Sequence, residues 1–152
     1  MTYSAAEARQ TLLDTVVEAA NDLALALAQL GEAYELLDEP TADRLEADLF
    51  RPAQVAYGRA QSAHSEFAAR HGLAAHVFER PTPRIAGDGP RGAIDDAIDA
   101  VRAADATLAD LQDSMLPVEV GDPPLRASLA EVRTLIDALP ARARELVRTL
   151  GR

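Results

Sequence analysis

The side chains best placed for chemistry are Phe50, Tyr57, His64 and His71, four residues at strict seven-residue spacing. Seven residues make about two helical turns, so all four fall on one stripe of a helix, with Phe67 three positions beyond His64. A phenol and imidazoles on an apolar stripe suit a small-molecule slot between helices. Tyr57, His64, Phe67 and His71 are therefore the candidate ligand-binding residues. The plainer account is packing. The rings would fill the space left by Ala53, Ala56, Ala60 and Ala63, and His64 would be a buried histidine with one hydrogen-bond partner.

Other patterns that carry chemistry are incomplete. A di-iron bundle needs Glu-x-x-His on two helices, but the residues three before His64, His71 and His76 are Gln61, Ala68 and Leu73. His64 and His71 would stand ~10 Å apart along a helix, too far to share one ion, so no metal site and no cofactor is expected. Histidine phosphotransfer domains are four-helix bundles, and the chain resembles them in architecture alone. That family places Leu two residues and Lys three residues after its reactive histidine, where this chain has Glu66 and Phe67. Asp14, Glu18 and Asp22 form an acid ladder, and Asp95 with Asp99 repeats the spacing. Phosphate-regulator helical proteins and helical nucleotide pyrophosphohydrolases use such acids to hold metal. Their paired Glu-Glu stretches and partner acidic motifs are missing here, which leaves a solvated face. Gly87-x-Gly89-x-x-Gly92 matches the letters of a dinucleotide fingerprint without the preceding strand, and Pro90 removes an N–H that a phosphate would use. No Ser-His-Asp arrangement is legible, so no catalytic residue is assigned and the balance leans away from an enzyme.

These residues must be positioned by helices. Hydrophobic residues make up 48% of the 152, which argues for a folded chain rather than an unfolded one. They are mostly Ala and Leu, with three Tyr, three Phe and no Trp, a composition that favours helix over strand. Ser4 with Glu7 forms a capping box at the start of the first helix. The heptad seam Leu13, Val16, Ala20, Leu23, Leu27, Leu30, Tyr34 and Leu37 follows, widened by Leu12, Ala19, Ala26 and Ala33. A second seam runs Phe50, Ala53, Tyr57, Ala60, His64, Phe67, His71, with Pro52 predicting a kink or a fresh start. A third runs from Ile94 to Met115. A fourth runs from Leu125 to Leu150 behind an Asp122 cap and Pro123, with a kink expected at Pro140.

The expectation is a single all-α domain, a four-helix bundle with helices at about 4–39, 41–71, 92–116 and 122–150. The loop 72–92 is rich in Pro and Gly and has two possible paths. It either crosses to the far end of the bundle or lies along its surface and leaves up-down-up-down order, and the second, simpler path is the one expected.

Charge sets the partners. The net charge of −10 repels phosphate backbones and anionic lipid, so neither nucleic acid nor a membrane surface is expected. All fifteen basic residues are Arg, which excludes lysine Schiff bases, and the absence of Cys excludes thiolate chemistry. Glu7, Arg9 and Asp14 occupy the place of a signal-peptide core, so the cytoplasm is the default compartment. Eight acids between Gly92 and Asp122 face six Arg between Arg126 and Arg152, which favours antiparallel pairing of the third and fourth helices. Arg142, Arg144, Arg148 and Arg152 form a basic end that pairs with neighbouring acids rather than nucleic acid. Leu25 and Leu36, eleven residues apart on the outer face of the first helix, are the candidate interface of a homodimer or protein partner. The leading functional reading is a non-enzymatic helical protein mediating self-association or partner binding. A small-molecule or sensor bundle comes second, and a helical hydrolase third.

Overall fold

The computed structural model describes residues 4–84 and 87–150, and among them the chain is all-helical. Helix α1 spans Ala5–Leu36, capped by the Ser4 hydroxyl, which accepts from the Glu7 N–H at 3.1 Å. It ends before the expected Asp38–Glu39 because Asp38 begins the next helix, α2 (Glu39–Leu45), with Pro40 in its first turn, where a missing N–H costs nothing. A π turn, Glu46–Phe50, passes directly into α3 (Arg51–Arg70) and brings both Leu45 and Leu49 into the core. The break expected at Pro52 is thus a π turn just ahead of it. Pro52 has no N–H for the carbonyl of Asp48, and Arg142 Nη1 donates to that oxygen at 3.2 Å.

Helix α4 covers Gly89–Asp113, earlier at both ends than expected. A short helix α5 (Leu116–Glu119) follows Met115, whose left-handed φ of 70° takes the chain out of the α4 seam; Met115 is exposed rather than core. The next connection is tight. A β-carbon at Gly121 would fall on the Pro117 carbonyl oxygen, which accepts from Arg126 Nη1 at 3.0 Å. Helix α6 (Pro123–Asp137) and helix α7 (Leu139–Leu150) replace the single fourth helix, because the chain breaks at Ala138 and restarts with Pro140 in its first turn.

The most extensive helix pair is α1 with α4, followed by α3 with α6 and α1 with α3, and α7 leans on α4. Directions follow from side-chain pairs. Arg9 reaches the Val120 carbonyl and Gln29 reaches Asp96, so α1 and α4 run antiparallel. Arg59 pairs with Glu131 and Arg70 with Asp122, so α3 and α6 run antiparallel. Arg133 of α6 grips Asp105 of α4 at 2.9 Å, the acid–base complementarity that the charge segregation predicts. Gly31 shares a small hollow with Phe50, and Asp14 faces His64, which makes α3 antiparallel to α1 and therefore parallel to α4.

The connection from α3 to α4 must then return along the whole of α3. The up-down-up-down expectation is corrected to a crossover. Seventeen extended residues reach ~55 Å, ample for a 20-residue helix of ~30 Å.

The α1 seam is also corrected. Leu13, Val16, Ala20, Leu23 and Leu30 are buried, but Leu27 and Leu37 are half-buried and Tyr34 is 38% exposed. A straight helix drifts ~20° per heptad, so the buried face passes to Ala19, Ala26, Gln29 and Ala33. Gln29 is a polar residue in that face. Its Nε2 donates to Asp96 at 3.2 Å, and its Oε1 has no partner among the described residues.

Candidate functional site: a cleft beneath a crossing strap

The crossover begins as a Schellman turn. His71 caps α3, Gly72 takes a φ of 68°, and the Leu73 N–H donates to the Ala68 carbonyl at 2.8 Å. From there residues 73–84 form a strap along the groove between α1 and α3. Phe78 lies edge-on to Tyr57 (centroids 6.3 Å apart) and to His64 (5.5 Å), and His76 lies 4.9 Å from Phe78. The His76 backbone N–H donates to His64 Nε2 at 2.9 Å. Among the described residues this is the one hydrogen bond from residues 74–84 to the helices.

Beyond Phe78 the strap lifts and leaves a solvent-connected cleft of about 420 Å³. Its floor is Ala24, Leu27, Ala28 and Gly31 of α1 with Phe50, and its walls are Gln54 and Tyr57 of α3 against Arg80, Pro81 and Pro83 of the strap. A smaller hollow continues past Phe50 to Tyr34, Glu35 and Glu46. Partial burial raises the Tyr57 phenol above its ordinary value, against the opposing pull of the Arg80 guanidinium, so Tyr57 is neutral and able to donate.

The four candidate ligand-binding residues do not share this cleft. Tyr57 lines it. His64 is 2% exposed and sealed under Phe78 and His76, the hydrogen-bonded buried histidine of the packing account. Phe67 is wholly buried, with Arg70 over its ring at 5.9 Å. His71 turns to the opposite end, where its Nε2 meets Asp122 at 3.0 Å. The reason is geometric: residues at seven-residue spacing run the length of α3, whereas the cleft borders that helix only at Gln54 and Tyr57, with Phe50 just ahead. Arg80, Gln54, Pro81, Pro83 and Gly31 carry no periodic signal and are placed only by the crossover. Leu36 is 53% exposed, whereas Leu25 is half-buried and packs against the core.

Two further polar assemblies stand apart. Asp122 accepts both Arg70 guanidinium hydrogen bonds (2.8 and 2.9 Å) and the Leu125 N–H (2.9 Å). Arg70 foremost, then the Leu125 N–H and His71, hold its carboxyl well below the usual range despite partial burial. Between α4 and α7 a broad open groove of about 800 Å³ presents Arg91, Arg102, Arg144 and Arg148 beside Asp95 and Asp99, an excess of guanidinium groups over carboxylates. In the acid ladder, Asp14 and Glu18 are exposed, and partial burial followed by the Glu18 charge raises the half-buried Asp22 carboxyl. Among the described residues no three His, Asp or Glu side chains converge to hold a metal ion, and no helix is long and apolar enough to cross a membrane. No protein-family model, curated protein or solved structure matches the chain.

Proposed function

We propose that the protein is a non-enzymatic four-helix bundle with a crossover connection, whose cleft between α1, α3 and the strap takes a small anion with a flat apolar body. The observation that carries the reading is the composition of the cleft: an Ala, Leu and Phe floor, one cation at Arg80, and two hydrogen-bonding groups at Gln54 and Tyr57. Its volume lies within the range of small-molecule pockets, and Tyr57 was already a candidate on sequence grounds. The floor would accept a ring, and Arg80 would pair with a carboxylate at the rim.

A suitable probe is 2-naphthoate, followed by ligand-observed NMR and calorimetry. At about 0.3 kcal/mol per heavy atom the expected Kd is about 1 mM. Gly31→Leu is expected to abolish binding by filling the floor, since a β-carbon at Gly31 meets nothing within 4 Å. Removing glycine from a helix interior should at the same time raise stability by about 0.5–1 kcal/mol, so lost binding would not reflect unfolding. Arg80→Ala should weaken 2-naphthoate about ten-fold and leave neutral 2-naphthol unaffected. No binding, or binding indifferent to Gly31→Leu, rejects the cleft.

Self-association through the outer face of α1 is the second reading, favoured by the exposure of Leu36 and Tyr34 beside the smaller hollow. Light scattering over about a hundred-fold concentration range should then show a dimer that Leu36→Glu dissociates. A monomer throughout, or an oligomer indifferent to Leu36→Glu, ends that reading.

A further inference from the structure

Among the described residues, the stretch 74–84 of the strap has a single hydrogen bond to the helices, and its acceptor is a titratable ring. His64 Nε2 accepts from the His76 N–H, so in the closed state Nε2 carries no proton and Nδ1 must. Nδ1 is itself buried without a partner among the described residues. A protonated ring would donate from both nitrogens, turning Nε2–H against the His76 N–H and leaving two buried donors unpaired.

We propose that His64 is a pH-sensitive latch: unprotonated, it holds the strap on α3 through the His76 N–H, and on protonation it releases the strap and draws Arg80 away from the cleft. The regulatory part of this statement rests on the cleft being a binding site; the opening of the strap does not.

The titratable groups facing the ring are Asp14 from α1 and His76 from the strap. Burial foremost, and then the His76 charge, push the His64 proton affinity down, while Asp14 opposes them. The direction of the pH effect follows. The open strap leaves His64 near its ordinary value of 6.5, and the closed strap holds it lower, so the open state binds more protons. Closure is complete above about pH 6.5 and is lost as the pH falls below that value. Below it the opening constant rises with each fall in pH, by at most about ten-fold per unit, one proton being taken up. Core helices need not open with it, since a segment with few buried contacts unfolds locally.

Amide hydrogen exchange of His76, Val77 and Phe78, followed by NMR on ligand-free protein from pH 8 to 5 with intrinsic rates divided out, tests the latch. The expected result is protection that falls below about pH 6.5, by at most about ten-fold per pH unit, while Leu23 and Leu30 hold theirs. His64→Gln places a non-titrating acceptor near the Nε2 position and should keep the strap protected and insensitive to pH. His76→Ala retains the backbone N–H and should keep the acid response. Asp14→Asn removes a charge that favours the imidazolium in the closed state, so it should leave the onset unchanged and extend the acid opening further towards low pH.

Wild-type protection that does not change with pH overturns the latch, as does an acid response that survives in His64→Gln or disappears in His76→Ala. If the strap opens as expected but 2-naphthoate binds at no pH, the cleft reading fails and the latch stands. If 2-naphthoate binds equally at pH 8 and 5 over a strap that stays closed, the latch fails and the cleft stands.

Discussion

His64→Asp is expected to leave the His76 amide unprotected at neutral pH and to destabilise the protein by up to about 3–5 kcal/mol, measured as a lowered urea midpoint. The ring is 2% exposed, under Phe78 and between α3 and the strap, so a carboxylate there would lose its water. Aspartate is also too short to reach the His76 N–H as Nε2 does, and Asp14 on α1 would repel it. The new charge would therefore be buried without a partner, the costly arrangement for an ion. His64→Leu separates this effect from loss of the latch. It removes the unpartnered Nδ1 and should leave global stability within about 1 kcal/mol of wild type, while the His76 amide loses protection. A well-tolerated His64→Asp would show that the side chain reaches solvent.

Asp122→Ala is expected to cost about 2–4 kcal/mol at pH 7. Two interactions end together. The α6 cap contributes about 1 kcal/mol, and the two-pronged Arg70 pair, although partly screened by solvent, contributes about 1–3 kcal/mol through its charge-assisted hydrogen bonds. The pair also ties the last turn of α3 to the first of α6, where the strap begins. Asp122→Asn keeps a cap and loses the charge, so it should fall about halfway. The pH dependence has a definite sign. A carboxyl depressed in the folded state stabilises fully above its unfolded value, near pH 4, and that stability is lost as the pH falls below it. Melts at pH 7 and pH 3 should therefore show wild type losing its advantage over Asp122→Ala in acid. An equal gap at both values would mean that Asp122 acts only as a spacer. This loss begins near pH 4, below the onset of the His64 response near 6.5.

How far each feature could be read from the chain depended on whether its cause is local. The Ser4 and Asp122 caps, the irregularities next to Pro52 and Pro140, and the helical seams of the buried Leu and Ile residues all follow from backbone chemistry within a turn or two. So does the all-α class. Helix ends shifted by two or three residues where neighbouring signals competed, as at Leu36, where the Asp38–Pro40 start overtook the α1 seam.

What the tertiary structure alone decided was the path of the 72–88 connection and everything that depends on it. A segment of that length satisfies either topology, because chain reach exceeds the length of α3 with slack to spare. Only the simultaneous packing of α1 on α4 and α3 on α6 makes α3 and α4 parallel and so draws the strap across the groove. His64 was legible as a buried histidine because its spacing set its depth. Its partner was not, since His76 lies in a segment without periodicity. Arg80 reached Tyr57 by the same crossing, so the cleft joins residues that no local rule relates. Periodic side chains declare which way they face; the contacts of an aperiodic strap are set only when the helices beneath it have taken their places.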